Sequence, residues 1–166
     1  MKTRRIVLAS VVLLLAILLL AASASAGRGS EFSCTVPWDT FEWLRGPTWT
    51  YTGNTGHRDA AARIKANCAP QLRGWIYLDG QINGVRFVGD PADEVIYGHE
   101  HGKAWVQSED GQLLWTGSYH WDIAPQGYGG EFVAQGVGPN EGLQLRYYLT
   151  CGEANGWENA VTGRIW

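Results

Sequence analysis

The chain has 166 residues, 16 acidic against 13 basic, with 22 glycines, nine tryptophans and seven tyrosines. Residues 1–26 hold three of the basic side chains and none of the acidic ones, so the remainder has ten basic against 16 acidic, a net charge near −6. No basic block is present, which makes nucleic acid and anionic membrane surfaces poor partners.

The chain opens on Met1-Lys2-Thr3-Arg4-Arg5, continues in an apolar run from Ile6 to Leu20 relieved only by Ser10, and reaches Ala24-Ser25-Ala26. A basic start, a short apolar segment and an A-x-A site predict an export signal over 1–26, with Gly27 first after cleavage. The competing reading, a membrane anchor, needs about 20 apolar residues and finds small residues where a charged stop would stand. A secreted or extracytoplasmic protein is therefore expected, with no membrane contact once the signal is removed. The part after Ala26 is large enough for one domain with its own core.

Residues 27–47 read as an N-terminal lead-in whose Trp38, Phe41 and Trp43 are expected to pack. A β domain is expected over 48–166. Thr48 to Thr52 is β-branched and aromatic and stops in Gly53-Asn54-Thr55-Gly56. His57 to Ala66 has helix-favouring alanines, yet Ala62, Ile64 and Ala66 alternate, and strand is the reading taken. Leu72, Ile76, Leu78 and Ile82 share one side of the next strand, with Trp75 and Tyr77 on the other. Asn83-Gly84 is a tight-turn dipeptide and predicts a hairpin, with Val85–Val88 following and Gly89-Asp90-Pro91 ending it. A strand from about Glu94 to Gln107 leads to a second turn signal, Asp110-Gly111. Leu113, Trp115, Tyr119, Trp121 and Ile123 then keep a period of two over eleven residues. Turns at Pro125-Gln126-Gly127 and Pro139-Asn140-Glu141-Gly142 bracket another strand, and Leu143 to Cys151 and Trp157 to Trp166 supply the last two.

Eight or nine strands with short connections leave no room for crossover helices. The fold expected is all-β, a single antiparallel up-and-down β-barrel of about eight strands, with a β-sandwich as the alternative. Interior glycines 74, 80, 102, 117 and 136 suit the bends of a small barrel. Trp49-Thr50-Tyr51 with His57-Arg58, Trp115-Thr116-Gly117, Gly136 to Leu143 and Gly163-Arg164-Ile165 resemble a loose group of secreted bacterial β-proteins without a known activity. The likeness runs from about Trp49 to the end. It implies the fold and no functional residues.

Three cysteines follow the signal. Export favours a disulfide, and Cys68 and Cys151 flank predicted strands while Cys34 lies in the lead-in, so the pair expected is Cys68–Cys151. No C-x-x-C spacing is present, which disfavours a structural zinc or thioredoxin-like site.

Gly98-His99-Glu100-His101-Gly102 is the sharpest chemical candidate. On a strand His99 and His101 share a face and could share a metal ion, with His57, His120 or Asp122 as a third ligand. The pattern is similar to the His-x-His of cupin barrels, but the carboxylate expected shortly afterwards is missing. The competing reading is a pair of surface histidines. Ser118, His120 and Asp122 stand at alternate positions about 7 Å apart, side by side rather than in a relay. Trp75, Tyr77 and Trp105 lie opposite the apolar sides of their strands and could stack on sugar rings, although aromatics also supply buried area in short chains.

Two functional classes follow. The favoured one is a non-catalytic module holding a small apolar or sugar ligand, or a surface partner. The other is a metal-dependent enzyme using the His99/His101 face. No cofactor signature is present and none is expected.

Overall fold

In a computed structural model of the protein the described residues are 29–53, 55–86 and 95–166, and Glu31–Ile165 form one compact unit. The expected export signal and the turn at 89–91 lie outside the described residues. Nine strands follow in chain order: β1 Ser30–Val36, β2 Glu42–Thr52, β3 Thr55–Ala69, β4 Leu72–Arg86, β5 Val95–Gln107, β6 Leu113–Ala124, β7 Gly127–Gly136, β8 Gln144–Gly152 and β9 Asn159–Ile165. They make one sheet in the order β1-β9-β8-β7-β6-β5-β4-β3-β2. From β2 to β9 each strand pairs antiparallel with its successor in sequence, as an up-and-down arrangement requires.

The order begins at β1 and ends at β2, and among the described residues no hydrogen-bonded ladder joins these two, so pairing does not close the sheet into a barrel. Other bonds tie its ends together. Cys34 of β1 is disulfide-bonded to Cys68 of β3, with Cα atoms 5.1 Å apart. The Lys65 backbone N–H donates to Thr40 Oγ1 at 3.1 Å, and Val36 shares a hydrophobic cluster with Ile64.

The disulfide corrects the expected Cys68–Cys151 pairing. The lead-in supplies β1 and the first half of β2, which puts Cys34 on a strand beside β3. Cys151 is a free, buried thiol on β8, opposite Tyr128 of β7 and several strands from Cys68.

The Asn83-Gly84 turn is also corrected. β4 runs unbroken through it, with Asn83 paired to His57 on one side and His99 on the other. A turn dipeptide makes a hairpin only if the segments flanking it pair with each other, and here Ile82 and Val85 belong to one strand. Asp110-Gly111 does turn: Ser108 accepts from the Gly111 N–H at 3.0 Å, and Gly111 takes φ +87°. In β6 a bulge opposite Val106 and Gln107 breaks the expected alternation, leaving Leu113 exposed and burying Leu114 together with Trp115.

One face of the sheet carries the core. Trp115, Phe132, Leu72 and Leu145 are fully buried there. Close strand contact across this face depends on missing side chains. A Cβ on Gly117 would strike the Val133 carbonyl oxygen and lie 2.8 Å from Ala134 Cβ. Gly117→Ala is therefore expected to lower stability by about 1–3 kcal/mol, as overpacking does, measured by urea unfolding.

Candidate functional site

Register sorts the inward-facing side chains into rows that cross the strands. The row Ile64, Ile76, Val106, Trp115 is filled by the Trp115 indole, whose Nε1–H donates to the Gln71 carbonyl at 2.7 Å. The Asn140 side chain, buried in the turn before β8, donates to the same carbonyl at 3.2 Å, so that end is sealed. Three rows further along stand Arg58, Ile82, Glu100 and Trp121. Between these levels β3 carries only the small Ala60 and Ala62, and they line a cavity of about 590 Å³.

Its walls are mainly aliphatic and aromatic, among them Ala60, Ile64, Ile82 and Leu149. Trp38 and Phe41, from the segment joining β1 to β2, and Trp43 of β2 line it as well. Phe41 packs edge-on against both tryptophans, with ring centroids 5.7 and 4.9 Å away. Trp38 and Trp43 are nonetheless 46% and 48% exposed, so this aromatic rim is open to solvent.

A few polar groups interrupt the apolar lining. The Tyr119 hydroxyl donates to Glu100 Oε1 at 2.9 Å, and the Arg58 guanidinium carbon lies 5.3 Å from the centre of the Trp43 ring. Burial raises the Glu100 carboxyl above its ordinary value, while the Tyr119 hydrogen bond and the charges of Arg58 and His101 act the other way. Burial likewise lowers Arg58 and raises the Tyr119 phenol. The Tyr128 hydroxyl donates to Asn159 Oδ1 at 2.6 Å, and Asn159 Nδ2 donates to the Val36 carbonyl at 3.3 Å. Trp121 differs from these. It is 7% exposed, and its Nε1–H has no hydrogen-bond partner among the described residues. An unmet buried donor of this kind costs about 1–3 kcal/mol, and an acceptor on a guest molecule would relieve it.

The residues singled out in the sequence stand on the opposite, outer face. Tyr77 and Trp105 are cross-strand partners that stack on each other, centroids 5.2 Å apart and planes within 4°. The Arg63 guanidinium covers Trp75 at 4.3 Å. None of the three lines the cavity. His99 and His101 share the outer face, as alternation requires, and both are exposed. His99 Nδ1 is 2.6 Å from Asp122 Oδ1, and its ring stacks on that of His120 at 5.6 Å. The grouping of ligand atoms within 4.8 Å of one another is His99, His120 and Asp122, without His101.

Glu100 and Arg58 escaped the sequence reading, although the alternation that sends His99 and His101 outward also sends Glu100 inward. The rim aromatics carried a signal too: three large rings in six residues of a supposed lead-in. Neither family models, characterised proteins nor solved structures yield a match to this chain.

Proposed function

We propose that this protein is an exported, non-catalytic binding module that holds a small, largely apolar molecule inside a barrel-like roll of its sheet. The observation that carries this reading is the cavity of about 590 Å³, a size typical of small-molecule sites, with an apolar wall and few convergent polar groups. In this reading the disulfide between β1 and β3 seals the roll where no ladder does, and the bond suits an oxidising compartment. The ligand carries a hydrogen-bond acceptor that meets Trp121 Nε1–H, and its remaining surface packs on the aliphatic wall and the Trp38, Phe41, Trp43 rim.

Titration with an uncharged naphthylamine fluorophore tests the reading. Saturable, one-to-one binding is expected for the wild type. Ala60→Trp, which places an indole in the cavity, is expected to weaken it at least about tenfold, or 1.4 kcal/mol. Tyr77→Ala on the outer face is expected to leave it unchanged. Binding that survives Ala60→Trp, or that Tyr77→Ala abolishes, rejects the cavity as the site.

A further inference from the structure

The outer face near the open end of the cavity holds a second arrangement, independent of the ligand reading. All four histidines of the chain fall on it, in two neighbouring cross-strand rows. One row runs His57, Asn83, His99, Asp122 from β3 to β6, and the other runs Asp59, Gln81, His101, His120. Four imidazoles drawn from three strands thus converge on one patch of a chain whose charge balance is acidic.

Within that patch His99, His120 and Asp122 stand apart. Asp122 Oδ1 lies 2.6 Å from His99 Nδ1 and 3.6 Å from His120 Nε2, and one ligand atom from each residue lies within 4.8 Å of the other two. Ligand atoms around a tetrahedral zinc ion are about 3.4 Å apart, as metal–ligand bonds of about 2.0–2.2 Å dictate. The observed separations bracket that value. The side chains are 66%, 59% and 70% exposed, so side-chain rotation alone can bring them to it while the ladder between β5 and β6 holds the backbone.

We infer that His99, His120 and Asp122 bind one divalent transition-metal ion of the zinc or copper kind on the outer face of the sheet. Two imidazole nitrogens and one carboxylate oxygen select such an ion over magnesium or calcium, which prefer sets made of oxygen alone. The ion takes the place of the direct contact between His99 Nδ1 and Asp122 Oδ1. Water fills the remaining coordination positions. His101 lies opposite His120 in the ladder and outside the grouping, and His57 is held by Asn83 Oδ1 at 2.5 Å.

The test is calorimetric titration of the purified protein, carrying no polyhistidine tag, with zinc chloride and separately with magnesium chloride. Zinc is expected to bind one-to-one and magnesium not at all. His99→Gln and His120→Gln are each expected to weaken zinc at least about tenfold, the lower end of what damage to a metal site does. His57→Gln is expected to change nothing. Circular dichroism checks that the variants are folded, as substitutions at exposed positions usually allow. In wild type, the imidazole nitrogen resonances of His99 and His120 are expected to move on zinc addition and that of His57 to stay. The inference is overturned by absence of zinc binding, by affinity that survives in either variant, or by zinc shifts centred on His57.

Discussion

Trp115→Ala should remove about 3–5 kcal/mol of stability, a large share of what a domain of this size possesses. The indole is fully buried and shares a row with Ile64 and Ile76, which line the cavity, so its loss does more than delete apolar contact. It leaves a void that the surrounding strands, tied by ladders on both sides of β6, cannot fully collapse to fill. The Gln71 carbonyl also loses its 2.7 Å donor and keeps only the longer bond from Asn140. Guanidinium unfolding followed by far-ultraviolet circular dichroism measures the change. A loss below about 1 kcal/mol would show that the strands do collapse around the missing indole.

Removal of the disulfide should have an effect of similar size. Cys34 and Cys68 are 34 residues apart, and closing a loop of that length stabilises the folded state by about 4 kcal/mol on the chain-entropy view. The double variant Cys34→Ala, Cys68→Ala is the cleaner measurement, because a reductant leaves two thiols facing each other. Its midpoint in urea should fall well below that of the wild type, with a steeper slope because the unfolded chain without the cross-link exposes more surface. The same variant should weaken capture of the apolar fluorophore, since the bond fastens the strand that leads into the aromatic rim. Retention of both stability and capture would mean that the remaining contacts of Val36 and Thr40 suffice to hold β1 in place.

How far the sequence discloses this arrangement depends on what kind of signal each element carries. β6 and β8 announce themselves, because alternation there separates buried from exposed residues almost without exception, the bulge at Leu114 being the visible departure. β1 is hidden by its polar composition: six of its seven residues are partly or fully exposed on both sides of the alternation, and only Val36 is buried. The cysteine pairing followed that omission, since a residue in a supposed lead-in had no strand to place it. Asn83-Gly84 misled for a different reason. Glycine at 84 lies within β4, in a row with Gly56 and Gly98 on the neighbouring strands, and the dipeptide alone does not tell a turn from a continuous strand. The outer histidines were legible as a pair on one strand with His57, His120 or Asp122 as a third ligand, whereas choosing among these required register between strands, which a single sequence does not supply.

The pairing of β1 with β9 joins the first and last strands, and this sets an order of assembly. Strands β2 to β9 can form as successive hairpins, each closing a short loop, but β1 has no ladder partner until the last strand is made. The bond from Asn159 to the Val36 carbonyl spans 123 residues, against 34 for the disulfide. Loop closure over the longer distance costs about 1 kcal/mol more. A chain emerging from its N-terminus therefore has both cysteines in hand long before β9 appears. Once oxidised, they moor β1 beside β3 and leave a vacant berth for the final strand to enter.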